Sequence, residues 1–257
     1  MSKVRIIAVT NQKGGVGKTT TAINLSACLA AEGKRVLIID ADQQGNTTSG
    51  LGLDKNDVPL TIYDIFLGEA SIEEVKQPTC VEGLEVVPAN INLTGAEIEL
   101  IGKEEREFII REELAKIKED YDFIIIDCPP SLNLITINAL VAADTVLVPI
   151  QCEYFALEGL EQLLHTVNLV KKRLNPNLEI EGIVFTMFDA RTNLSLQVVE
   201  EVKRSLGQNV YRSIIPRNVR LGEAPSHGLP IHLYDPRSKG AEAYALLAEE
   251  VMEKEWK

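Results

Sequence analysis

Short runs of Val, Ile and Leu recur along the chain, separated by longer stretches in which apolar residues return every three or four positions. The first pattern predicts strands and the second predicts amphipathic helices. The predicted strands are Arg5 to Thr10, Val36 to Asp40, Leu84 to Val87, Phe123 to Asp127, Thr145 to Pro149, Ile183 to Met187 and Tyr211 to Ile215. Several read as continuous runs of Val, Ile and Leu, as strands covered on both faces should. The predicted helices are Lys18 to Glu32, Glu104 to Lys118, Leu134 to Val141, Leu157 to Leu174, Leu194 to Leu206, and a last one from Lys239 to about Glu255. Alternation of the two kinds implies an α/β fold, a mostly parallel twisted sheet with helices on both faces. There is no linker, repeat or low-complexity tract, so residues 1–257 read as one domain.

The junction of the first strand and first helix reads Lys13-Gly14-Gly15-Val16-Gly17-Lys18-Thr19-Thr20. A glycine-rich turn between a buried strand and a helix is the setting of a P-loop. Gly14, Gly15 and Gly17 allow backbone N–H groups, Val16 among them, to face a phosphate without a Cβ in the way. The helix N-terminus adds unpaired donors and partial positive charge. Lys18 then supplies a full charge to the β and γ phosphates, and the Thr19 hydroxyl is placed to hold Mg²⁺. Gln12 stands where the generic motif has its first glycine, and Lys13 puts a second cation inside the turn. The run ending in Asp127 places a carboxylate beside this loop, a Walker B position that orients the metal, and Cys128-Pro129-Pro130 ends the strand there. A second polar cluster, Asp40-Ala41-Asp42-Gln43-Gln44-Gly45-Asn46, closes another strand at the edge where open α/β sheets bind ligands.

Together with Gln151-Cys152-Glu153-Tyr154-Phe155-Ala156-Leu157-Glu158-Gly159, Asp189-Ala190-Arg191-Thr192-Asn193 and Ile215-Pro216-Arg217-Asn218-Val219-Arg220, these motifs resemble the deviant Walker A ATPases, and within them the ParA/Soj partitioning proteins. The likeness covers nearly the whole chain. It implies ATP and Mg²⁺ as cofactors and an ATP-dependent sandwich homodimer, in which Lys13 of one copy reaches the phosphates held by the other. By the same likeness Asp42 handles the attacking water, with Gln43 replacing the usual proline after it, and Pro216 and Asn218 lie at the adenine. Met187 is a packing contact there or plain core. A single carboxylate with no resident arginine finger fits slow intrinsic hydrolysis that a partner accelerates. That partner, in this family, is a ParB-like centromere-binding protein.

Charge refines the picture. The chain carries a formal net charge of −12, but residues 165–220 hold nine Lys and Arg against five Asp and Glu. ParA-like dimers bind double-stranded DNA without sequence preference, and the resemblance gives this stretch that task through Arg191, Arg220, Lys203, Arg204 and Arg217, with Arg217 alternatively serving the nucleotide. Contacts of this kind weaken with salt. No apolar run is long enough to span a membrane and no signal-peptide layout occurs, which predicts a cytoplasmic protein, and the resemblance implies that it associates with the nucleoid. Two other ATPases of similar design remain as alternatives. A MinD-like membrane-cycling protein would end in a basic amphipathic helix, whereas this chain ends in the acidic Ala248-Glu249-Glu250-Val251-Met252-Glu253-Lys254-Glu255-Trp256-Lys257, so no stable membrane binding is expected. An electron carrier like the nitrogenase iron protein needs paired cluster cysteines; Cys128 has no second cysteine in a matching loop, and Cys28, Cys80 and Cys152 are scattered. His165, His227 and His232 are scattered too and take no catalytic role.

Overall fold

The computed structural model describes residues 4–153 and 156–254, the side chains of Ser205 and Gln208 excepted. Tyr154 and Phe155, within one family stretch, and the end of the last predicted helix with Trp256 lie outside the described residues. Strands run over Arg5–Val9 (β1), Val36–Asp40 (β2), Gln77–Pro78 (β3), Leu84–Val87 (β4), Phe123–Asp127 (β5), Thr145–Gln151 (β6), Glu179–Phe188 (β7) and Val210–Pro216 (β8). They form one sheet in the order β3-β4-β2-β5-β1-β6-β7-β8, parallel throughout except for β3 against β4.

Successive side chains of a strand point to opposite faces. Ile6, Ala8, Leu37, Ile39, Ile124 and Ile126 therefore enter one core, while Ile7, Val9, Val36, Ile38 and Ile125 enter the other. Both cores are closed by helices, which is why residues 6–9, 36–39 and 123–126 of these strands form unbroken apolar runs. The helices are Lys18–Ala31 (α1), Asn46–Gly50 (α2), Ile62–Leu67 (α3), Ile72–Val75 (α4), Leu93–Glu99 (α5), Ile109–Ile117 (α6), Leu134–Ala142 (α7), Ala156–Arg173 (α8), Asn193–Leu206 (α9), Val219–Glu223 (α10), Ile231–Tyr234 (α11) and Lys239–Glu253 (α12).

Three departures from the expected elements have local causes. The helix expected from Glu104 starts at Ile109, because Glu105 takes a left-handed φ of 54° and Phe108 closes a turn onto its carbonyl. Strand β7 begins at Glu179 rather than Ile183. The charged Glu181 hides that start, since it is buried and satisfied by Arg5, Thr145 and Tyr211, each at 2.6 Å. Strand β3 escapes notice because it is two residues long and carries Pro78, which only an edge can accept.

What matters for function is the centre of the sheet. Register sets Asp127 beside both Val9 and Asp40, so the ends of β1, β2 and β5 lie together under the loop that opens α1.

Candidate nucleotide site

Gly15 and Gly17 adopt φ of 74° and 85°, a region closed to most side chains, while Gly14 does not need it. Gly17 is the N-cap of α1 and offers no side-chain cap, so the first-turn donors of the helix are left for an anion. Asn11 anchors the loop: its Nδ2 donates to the Pro149 carbonyl at 2.8 Å and its Oδ1 accepts from the Lys13 N–H at 3.0 Å. Lys18 is buried, and its Nζ donates to the Lys13 carbonyl at 3.0 Å, which lays the ammonium across the loop. Burial pushes its pKa down, and Asp127, Cys128 and Asp42 oppose that shift. A cation so desolvated gains by meeting a phosphate.

Behind Lys18 stand two fully buried acids. Asp40 accepts from the Thr48 N–H and hydroxyl at 2.9 and 2.7 Å and from the Asp42 N–H at 3.2 Å. Asp127 Oδ2 accepts from the Thr47 hydroxyl at 2.8 Å. Its Oδ1 is buried with no hydrogen bond of normal geometry, and the Thr19 hydroxyl is the neighbour that favours its charge. An orphaned carboxylate oxygen next to a hydroxyl, with Asp40 and Asp42 close by, is an all-oxygen donor set that suits Mg²⁺. Asp42 itself is held through Oδ1 by the Gln44 N–H at 3.0 Å and through its carbonyl by the Gly45 N–H at 2.9 Å, so its turn forms with Gln43 in the proline's place.

The acids impose a pH dependence. Burial, then Asp40, pushes the Asp127 pKa up to about 7, and burial pushes Asp40 up to about 6, from an ordinary value of 3.8. Between the ordinary and raised values the folded chain binds more protons than the unfolded chain. Their contribution to stability is therefore complete below about pH 4 and falls as pH rises toward 7. In thermal melts of the metal-free protein, the Tm of Asp127→Asn minus that of wild type should grow from pH 5 to pH 7.5. A difference that stays constant contradicts this account of the pair.

Next to the loop is a cavity of about 240 Å³ lined by Gly17, Thr20, Thr186, Met187, Pro216 and Asn218, among others. Pro216 and Asn218 thus line the same cavity as Gly17 of the P-loop and Thr20 of α1. Asn218 Oδ1 caps α10 by accepting from the Arg220 N–H at 2.8 Å, which leaves its Nδ2 as the amide donor on offer. Met187 has a left-handed φ of 49°, and strain of this kind in a non-glycine residue accompanies binding sites. Thr186, unremarked in the sequence, donates from its hydroxyl to the Val16 carbonyl at 2.8 Å and so joins the cavity wall to the phosphate loop.

The remaining candidates divide. The Lys13 side chain is 40% exposed and forms an ion pair with Glu153 of the same chain. Arg191 follows β7, and Arg217 and Arg220 follow β8, which brings these three to the sheet edge that carries the P-loop. Each of the outer two is already paired: Arg191 with Asp189 at 2.6 Å, and Arg220 with Glu223 at 2.8 Å and Asp235 at 3.4 Å. Hydrogen bonds from Arg191, helped by the charge of Arg217, hold the Asp189 carboxyl well below the usual range. Lys203 and Arg204 do not join them. They occupy the last turn of α9, whose 14 residues lead about 21 Å away toward the opposite edge, and Arg204 pairs with Glu201 at 2.6 Å.

Known proteins resemble this chain along nearly its whole length. Residues 4–180 match a family model described as an AAA domain. The sporulation initiation inhibitor protein Soj of Bacillus subtilis is 61% identical over 247 residues, covering 96% of this chain and 98% of its own length. The chromosome-partitioning ATPase Soj of Treponema pallidum is 52% identical over 248 residues, covering 96% and 97%. Among solved structures, cobyrinic acid a,c-diamide synthase from Mycobacterium smegmatis, with bound ATP analog and magnesium, is 38% identical and superposes with a TM-score of 0.86 over 97% of this chain and 94% of that chain. No helix among the described residues is long and apolar enough to cross a membrane.

Proposed function

Because this chain belongs to the Soj/ParA family of chromosome-partitioning ATPases, we propose that it acts as an ATP-operated segregation switch. ATP joins two copies, the pair binds double-stranded DNA without sequence preference, and a ParB-like centromere-binding protein triggers hydrolysis and release.

The observation that carries this reading is the division of labour between two lysines of one loop. Lys18 is buried across its own loop, where it would neutralise the phosphates that loop cradles. Lys13 turns outward onto Glu153, where its charge is available to a second copy. At about 4 Å a lysine and a phosphate oxygen attract by roughly 4 kcal/mol at an effective dielectric of 20, enough to make bound nucleotide part of a contact between subunits. Thr19 and Asp127 would hold Mg²⁺, which when bound supplies charge to the oxygens of the transferred phosphoryl group. Asp42, fixed by Asp40 and Gln44, would orient the attacking water and receive its proton. Thr186 keeps the loop in register with the base cavity, where Pro216 and Asn218 would meet the adenine. Arg191, Arg217 and Arg220 would face DNA, and the ion pairs that Arg191 and Arg220 now make are exposed ones that phosphates can replace at low cost.

The test uses Asp42→Ala to slow hydrolysis. With ATP and Mg²⁺ this variant should double its mass in light scattering and be retained on DNA of unrelated sequence. Adding Arg191→Glu and Arg220→Glu should abolish retention while ATP still binds. A chain that stays monomeric in ATP refutes the switch. In the wild type, DNA and the ParB-like protein together should raise ATP turnover well above either alone.

A further inference from the structure

Four large apolar side chains stand out on the described surface for exposure above 60%. Val219 is 75% exposed; the other three, Ile91 at 66%, Ile98 at 71% and Ile101 at 72%, fall within a single short stretch. The backbone there winds continuously. Leu93 and Thr94 donate back to Asn90 and Ile91, α5 follows, and Ile101 donates to Ile98. At about 100° per residue, Ile91 and Ile98 lie within about 20° of each other and Ile101 about 60° further round. Leu93, Ala96 and Leu100 occupy the opposite side and are buried. Packing into the core accounts for one apolar face of this stretch, and the second faces water. A contiguous apolar patch of this sort rimmed by polar residues marks an interaction site.

Its border is acidic. Glu97 and Glu99 flank the isoleucines, and Glu104, Glu105 and Glu107 follow. Tyr63 donates to Glu99 at 2.7 Å and fixes it beside the patch. The two cations of the stretch are occupied, Lys103 by the Phe66 carbonyl at 3.4 Å and Arg106 by Glu107 at 3.4 Å. The patch is also tied to the catalytic loop. The Ala89 N–H donates at 2.9 Å to the Thr48 hydroxyl, which donates at 2.7 Å to Asp40. A Cβ added at Gly45 would meet the Ala89 carbonyl at 2.6 Å, so the loop that follows Asp42 rests directly on the residue from which this stretch departs.

We propose that the Ile91, Ile98 and Ile101 face docks a cationic amphipathic segment of a protein partner, with that segment's apolar side on the isoleucines and its basic residues on the flanking glutamates. The inference rests on the reading that a partner triggers hydrolysis, and it says where on this chain that partner takes hold. DNA and anionic lipid are repelled by the same glutamates, and two copies meeting through this face would set like charges against each other.

The probe is a fluorescein-labelled helical peptide with leucines on one side and lysines on the other, titrated into full-length protein and read by anisotropy. The triple variant Ile91→Asn/Ile98→Asn/Ile101→Asn should bind it about tenfold more weakly or worse, since apolar anchors dominate such contacts. Basal ATP turnover should be unchanged and stimulation by the ParB-like protein lost. Leu246→Asn, on α12, should behave as wild type. Glu97→Gln/Glu104→Gln/Glu105→Gln should weaken binding and reduce its salt dependence. Several results overturn the assignment: wild-type peptide affinity in the triple variant, an equal loss in Leu246→Asn, pelleting of the wild type but not the triple variant with phosphatidylglycerol vesicles, or loss of the ATP-dependent dimer in the triple variant. A wild-type chain that ignores the ParB-like protein sinks the activation reading instead, and the peptide titration then judges the face alone.

Discussion

Lys18→Ala is expected to bind ATP on the order of a hundredfold more weakly than the wild type. A hydrogen bond to a charged group contributes up to about 3 kcal/mol, and each 1.4 kcal/mol is a factor of about ten. The full upper value applies here because the ammonium is buried and already pushed toward its neutral form by lost hydration, so little of the attraction is spent on water. The change also removes the cation that faces Asp127 and Asp42, leaving carboxylates to repel the triphosphate. Stability should suffer little, because a desolvated charge leaves with the side chain. Isothermal titration with ATP and Mg²⁺, next to a thermal melt, separates the two effects. Wild-type affinity in a folded Lys18→Ala chain would overturn the phosphate site.

Lys13→Ala should behave differently. ATP affinity is expected to stay within a few-fold of wild type, since the side chain points out of its own loop, but the ATP-dependent dimer should disappear, even with Asp42→Ala present. Glu153→Gln gives the opposite sign. An exposed ion pair contributes about 0.2–1 kcal/mol and each dimer releases two of them, so freeing Lys13 from Glu153 should lower the concentration for half-dimerisation by about 2- to 30-fold. Sedimentation in ATP across a dilution series measures both. Dimers that form normally in Lys13→Ala would remove this lysine from the subunit contact.

The central strands were legible because each carries an unbroken apolar run, at residues 6–9, 36–39 and 123–126, and in a chain with helices between the runs that pattern belongs to a sheet covered on both faces. The phosphate loop was legible because its glycines and lysine answer to backbone geometry and charge, both written locally. Glu181 shows where such reading stops: its burial depends on Arg5, Thr145 and Tyr211, partners from three other strands that no window along the chain contains. Thr47 and Thr186 were missed for the same reason, since a threonine that donates to a partner far along the chain reads like any other. Asn11 and Glu153 likewise matter through contacts with Lys13 made after folding. Short helices such as α3 are too brief for periodicity, although the capping box of Thr61 with Asp64 announces that one. Lys203 and Arg204 lie apart from the three arginines at the sheet edge, a separation hidden when charge is counted along residues 165–220, because such a count treats the two ends of α9 as neighbours.

The ion pairs at Arg191 and Arg220 bear on how long a complex would last. Asp189, Glu223 and Asp235 do not leave when a phosphate arrives; they stay within a side chain's length and compete for the same guanidinium groups. A surface built this way has a shallow attractive well, from which escape is fast and return is easy. Two subunits sharing such a surface would move along a polyanion by many brief releases, and their residence time would be set by how long the pair holds together.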